Sequence, residues 1–186
     1  MKEKILTVPN IITSFRILGS LILLLFIEPF TREFFVLYTL CGLSDVVDGI
    51  VARATKSTTE FGSKLDSVAD LLFYFVLFIC IIEKLLERLP LFVWIMGISA
   101  VVIRIASYLT AAIKYHRFAS IHTYMNKATG AVIFTVPYFI LTNFLVAVCV
   151  LLGIVTIIAS LEELLIHLTS KKYDPNRKTI LRPAAV

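Results

Sequence analysis

The sequence predicts an all-α integral membrane protein with six transmembrane helices and both termini in the cytoplasm. Three observations carry this. Hydrophobic residues make up 59% of the 186 residues and charged residues 17%, where soluble domains hold about 45–50% and about 25%. Mean hydropathy is +0.91, and a soluble globule of this length could not hide that much apolar surface. Six stretches come close to the roughly 20 apolar residues that a spanning helix needs.

The spans are expected over residues 9–29, 34–54, 64–86, 90–113, 122–141 and 143–168. Residues 1–10 are mixed and charged, and the apolar run after them has no small-residue cleavage site, so that run reads as a retained helix. Pro29-Phe30, Leu89-Pro90 and Thr142-Asn143 mark three turns. A polar stretch over 54–62 makes a further turn, and 114–124 is a longer polar link. Pro137 predicts a kink in the fifth span. Residues 1–170 are expected to form one transmembrane domain, and 171–186 a charged, Pro-containing cytoplasmic tail of poor order.

Charge sets the orientation. With the N-terminus inside, 13 Lys and Arg fall on the cytoplasmic side and 3 (Arg32, Lys84 and Arg88) outside, while Arg16 and Arg104 lie within spans. The net charge of +5 therefore reflects topology and lipid headgroups rather than nucleic-acid binding. Cys41, Cys80 and Cys149 are far apart in apolar stretches and lack metal-ligand spacing. They read as small core residues.

Ionised groups inside spans cost roughly 2.5–3.5 kcal/mol each on insertion scales, so their default reading is functional. The second and third spans hold four of them. Asp45 and Asp48 are three apart and share a helix face, and Ala52 continues that stripe. Asp66 and Asp70 are four apart and also share a face, with Gly62 one turn earlier. The short polar link makes these helices antiparallel neighbours, with facing acids near the cytoplasmic interface. Four carboxylates repel one another, and the nearby bases Arg53 and Lys64 can neutralise only two. Something else positive is expected between them. Oxygen-only ligands suit Mg²⁺, Mn²⁺ or Ca²⁺ rather than zinc. The small residues Gly49, Ala52 and Gly62 either let helices pack closely or leave room for a bulky ligand. Arg53 fits a phosphate or a topogenic charge.

The run Asp45-Val-Val-Asp48-Gly49-Ile-Val-Ala52-Arg53, followed by Gly62, Asp66 and Asp70, resembles the signature of the CDP-alcohol phosphotransferases at all eight fixed positions. The stretch from Val8-Pro9-Asn10 through Thr13 to Arg16 is similar to the start of bacterial members. The resemblance implies metal-dependent transfer of a phosphatidyl group from a CDP-linked lipid such as CDP-diacylglycerol to an acceptor alcohol, with release of CMP. It implies two Mg²⁺ or Mn²⁺ ions held by Asp45, Asp48, Asp66 and Asp70. Asp70 would also be the general base, and Gly49, Ala52, Arg53 and Gly62 would shape the nucleotide site. It further implies a homodimer in the cell membrane with its active site near the cytoplasmic face.

The acceptor is less marked. Leu71-Leu72-Phe73-Tyr74-Phe75 stands where bacterial phosphatidylserine synthases carry a Ser-Phe-Gly-Val-Ala-Pro stretch, which counts against serine. Ser67 stands where glycerophosphate-using members often have Pro. Arg104, Lys114, Arg117 and Lys127, with His122, Tyr124 and Asn126 nearby, are the candidate acceptor contacts. Several cations there favour a phosphorylated polyol, with glycerol 3-phosphate first. Inositol phosphate and phosphatidylglycerol are the alternatives. For Lys114 and Arg117 the competing reading is positive-inside anchoring, and for Arg104 it is pairing with an acid. A divalent-cation transporter is the main reading of another class, but the acids lie on one helix pair and the spans show no repeat.

Overall fold

Thr7 starts the first helix, α1 (Val8–Leu25), where its side-chain oxygen accepts from the Asn10 amide at 3.4 Å and Pro9 sits in the first turn. Proline is tolerated there because its missing N–H has no helical partner in any case. Phe30, at a φ of 69°, turns the chain, and Thr31 then accepts from the Phe34 amide at 3.3 Å to cap α2 (Arg32–Ala54). Thr59 accepts from the Gly62 amide at 2.9 Å and starts α3 (Glu60–Arg88). The other helices are α4 (Leu91–Tyr115), α5 (Tyr124–Phe139) and α6 (Leu145–Thr169). This computed structural model describes residues 7–55, 59–116, 121, 123–170, 173, 177 and 179–180, without the side chains of Arg53 and Glu60.

The described residues are helical, with no strand among them. Five helices are long and apolar enough to cross a membrane: α1, α2, α3, α4 and α6. The fifth differs from expectation. The apolar run suggests 122–141, whereas α5 has 16 residues, roughly 24 Å at 1.5 Å per residue. Both ends are set locally: Thr123 caps the start by accepting from the Asn126 amide at 3.1 Å, and past Pro137 the Ile140 amide turns back to the Pro137 carbonyl at 3.4 Å. The turns expected at Pro29-Phe30, Leu89-Pro90 and Thr142-Asn143 all fall between helices. Many large apolar side chains point outward, among them Leu71, Leu91 and Ile113. An apolar exterior on helices of this length marks a multi-pass membrane protein.

The chain divides into two compact units, Met1–Leu86 and Glu87–Val186. In the first, α1 packs on α2, and Gly19 lets them close: a Cβ there would lie 2.6 Å from Cys41 Sγ. Tyr38 stacks on Phe73 with centroids 5.4 Å apart, tying α2 to α3. In the second unit α6 packs on both α4 and α5, with Gly153 facing Met96.

Described residues of the tail meet α6 and its C-terminal cap. Thr179 donates to Glu162 at 2.8 Å, and Arg177 donates to Ser170 at 2.5 Å. Glu162 lies on α6, so a charged residue near its end gives the tail an anchor.

Candidate active site

Helical spacing places the four aspartates as pairs on α2 and α3, and the fold of the first unit brings both pairs to one point. That point is the guanidinium of Arg16 on α1. Nη1 donates to Asp45 Oδ1 at 3.0 Å and contacts Asp70 Oδ1. Nη2 donates to Asp66 Oδ1 at 3.2 Å and contacts Asp48 Oδ2. Thr13, one turn before Arg16, donates to Asp48 Oδ2 at 3.0 Å. The Arg16 side chain is wholly buried, and Asp48 is nearly so at 6%. The other three carboxylates are open, at 48% for Asp45, 42% for Asp66 and 41% for Asp70.

Arg16 thus brings a base into the cluster from a different helix than Arg53 and Lys64. With all four aspartates ionised, one guanidinium leaves a net charge of about −3 in a setting where each uncompensated charge is costly. Asp45, Asp48 and Asp66 each offer one oxygen, and these lie within 4.8 Å of one another. That donor set consists of carboxylate oxygens only, which fits a hard divalent cation such as Mg²⁺ or Mn²⁺. Asp70 stands outside this trio, sharing Arg16 Nη1 with Asp45.

Beside the acids lies a cavity of about 230 Å³, lined by residues that include Asn10, Asp48, Gly49, Ala52, Gly62 and Asp66. Its walls explain the small residues. A Cβ on Gly62 would lie 2.5 Å from Asn10 Oδ1 and 2.9 Å from Thr59 Oγ1. Gly62 therefore lets the start of α3 pass α1 while keeping the cavity open. The structure brings together seven of the predicted site residues here: Asp45, Asp48, Asp66, Asp70, Gly49, Ala52 and Gly62. The Arg53 side chain lies outside the described residues.

The predicted acceptor residues are in the second unit. Arg104 pairs with Glu163 of α6 and donates to Asn126 Oδ1 at 2.8 Å. Glu163, fully buried, also accepts from the Ile121 amide at 2.9 Å and from Asn126 Nδ2 at 3.0 Å. Lys114 Nζ donates to the carbonyls of His167 and Leu168, at 2.8 Å each, where the end of α6 leaves carbonyls without helical partners. Lys127 is exposed in the first turn of α5. Arg117 and His122 lie outside the described residues.

Sequence reasoning passed over Arg16, Thr13 and Asn10 as site residues. A signal for them existed: they recur at intervals of three, on one face of α1, and Arg16 is a charge inside a span.

Comparisons with known proteins place the chain in a family. The chain is 32% identical over 122 residues to a cardiolipin synthase (CMP-forming) / mitochondrial hydrolase fusion protein of Schizosaccharomyces pombe, covering 65% of this chain and 19% of that protein. It is 37% identical over 82 residues to a CDP-diacylglycerol–glycerol-3-phosphate 3-phosphatidyltransferase of Wigglesworthia glossinidia brevipalpis, covering 42% and 45%. It is 43% identical over 67 residues to a CDP-diacylglycerol–inositol 3-phosphatidyltransferase of Rattus norvegicus, covering 35% and 30%. The chain thus spans less than half the length of each of these relatives. No solved structure matches it. The model of one family, CDP-alcohol phosphatidyltransferase, matches residues 6–161. That match runs from ahead of α1 into α6 and takes in all four aspartates together with Arg16, so the chain belongs to the CDP-alcohol phosphatidyltransferase family.

Proposed function

We propose that the protein transfers a phosphatidyl group from CDP-diacylglycerol to a small alcohol and releases CMP. The observation that carries this is the convergence of four carboxylates from α2 and α3 beside a cavity walled by Gly49, Ala52 and Gly62. Asp45, Asp48 and Asp66 would hold divalent cations, with Asp70 as a further ligand. Bound Mg²⁺ or Mn²⁺ supplies positive charge to the phosphoryl oxygens in the transition state.

The residues of the chain do the rest. Gly49, Ala52 and Gly62 admit the cytidine nucleotide, and Arg53 at the end of α2 meets its phosphates. Asp70 accepts the proton of the acceptor hydroxyl. The acceptor oxygen forms a bond to the lipid-linked phosphorus as the bond from that phosphorus to the CMP oxygen breaks. CMP leaves with the bridging oxygen and the electron pair.

For the acceptor we favour glycerol 3-phosphate, supported by the cations of the second unit and by the bacterial relative named for that substrate. Inositol, inositol phosphate and phosphatidylglycerol are the other acceptors to test. Lys127 and Arg117 are the proposed phosphate contacts, since Arg104 is engaged by Glu163 and Asn126 and Lys114 by the carbonyls at the end of α6. The proposed setting is the cell membrane, with six spans, both termini cytoplasmic, the site near the cytoplasmic face and a homodimeric assembly.

The test uses purified protein, CDP-diacylglycerol, Mg²⁺ or Mn²⁺ and a panel of alcohols. CMP release that requires one alcohol, stops on chelation and yields the matching phospholipid is the expected result. No CMP with any alcohol, together with metal flux in liposomes, would sink the proposal in favour of a cation transporter.

A further inference from the structure

The role of Arg16 goes beyond the reading above. Its two terminal nitrogens touch one oxygen from each of the four aspartates, and three of those residues also make up the trio of oxygens within 4.8 Å. A divalent cation of the Mg²⁺ or Mn²⁺ class takes carboxylate oxygens at about 2.0–2.1 Å. An ion at that distance competes with the guanidinium for these carboxylates, since each already gives one oxygen to Arg16. Arginine cannot lose its charge to make way. Two divalent cations would already offset four carboxylates, so a guanidinium kept among them would face net repulsion.

We infer that Arg16 is a displaceable counter-ion, which holds the four aspartates together and gives up their oxygens to incoming divalent cations. It works against metal affinity and in favour of a preassembled site. Three features support this over a simple fold-stabilising pair. The guanidinium is shared four ways rather than committed to one acid. Its Nε has no hydrogen-bond partner among the described residues, so one donor does not anchor it. Asp45, Asp66 and Asp70 are each more than two-fifths exposed, which gives ions a route to the oxygens.

The inference rests on the reading of the aspartates as a divalent-cation site, and the experiment separates the two. Mn²⁺ binding to the detergent-solubilised full chain is measured by electron paramagnetic resonance, and thermal unfolding is followed with chelator and with Mn²⁺. Arg16→Gln removes the charge. It should bind Mn²⁺ at least tenfold more tightly than the unsubstituted protein, and its melting temperature should fall in chelator and recover with Mn²⁺. Arg16→Lys keeps a charge without the fork and should fall between the two. If Arg16→Gln does not fold in chelator, Arg16→Lys alone decides, since it too must bind Mn²⁺ more tightly. Equal or weaker Mn²⁺ binding in the folded variants overturns the inference and leaves the metal site standing, because mere damage to the site lowers affinity. No Mn²⁺ binding by the unsubstituted protein overturns both.

Discussion

Arg16 and Arg104 are both arginines inside apolar helices, and both meet acid, but the two regions balance their charge differently. Arg104 faces one carboxylate. Glu163 is fully buried, and Asn126 and the Ile121 amide complete its hydrogen bonds. Asn126 in turn donates to the Ile121 carbonyl at 2.7 Å, so one guanidinium meets one carboxylate within a hydrogen-bonded network. Arg16 faces four carboxylates, three of them open to the surroundings. A balanced buried pair can be purely structural. An acidic excess at an accessible point calls for cations. The difference teaches that charge balance, more than the presence of an intramembrane charge, separates a binding site from a brace.

The comparison can be broken from either side. The largest effect expected is on Asp70→Asn, which should lower the transfer rate about 10²- to 10⁴-fold, the range for loss of a general base. CDP-lipid binding should largely remain, because Asp45, Asp48 and Asp66 are untouched. CMP release and lipid binding measured on the same preparation check this, and near wild-type turnover would remove Asp70 from its role.

Glu163→Gln tests the other side. It strips Arg104 of its buried partner and should cost stability on the order of 3–5 kcal/mol, the range for a broken buried pair. Denaturant unfolding reads this. A variant of full stability that had lost transfer as Asp70→Asn does would make the second network a site rather than a brace.

Gly62→Ala probes the wall of the cavity. The added methyl would press on Asn10 Oδ1, and KM for the CDP-lipid should rise on the order of tenfold, about 1.4 kcal/mol. A KM that does not move would place the nucleotide elsewhere. The smallest effect is expected on Lys127→Ala. It should raise KM about threefold to tenfold for glycerol 3-phosphate, roughly the worth of one exposed charged contact. It should leave KM for unphosphorylated inositol unchanged, and an equal rise for both would argue against a phosphate contact.

Much of the site was legible in the chain because its elements are local. Asp45 and Asp48, or Asp66 and Asp70, share a face wherever a helix forms, since 3.6 residues make a turn. The polar link between the two helices is short, so their facing was legible as well. Arg16 was not, because its partners lie 29 to 54 residues away. The arginine could be seen as a charge in a span but not matched to an acid. Arg104 was open for the same reason, as Glu163 lies 59 residues on. The fifth helix came out two residues shorter at each end than its expected span, because capping by Thr123 and the turn at Ile140, rather than hydropathy, set its limits.

By itself, the sequence determined an all-helical membrane chain with four aspartates in two pairs, because hydropathy and helical period are properties of neighbouring residues. It also carried the family signature. Only the tertiary structure decided which positive group meets which acid. Coulombic partners are chosen by distance in space, and packing α1 against α2 is what puts Arg16 among the aspartates. In the other unit, packing of α6 against α4 and α5 is what gives Arg104 its partners Glu163 and Asn126.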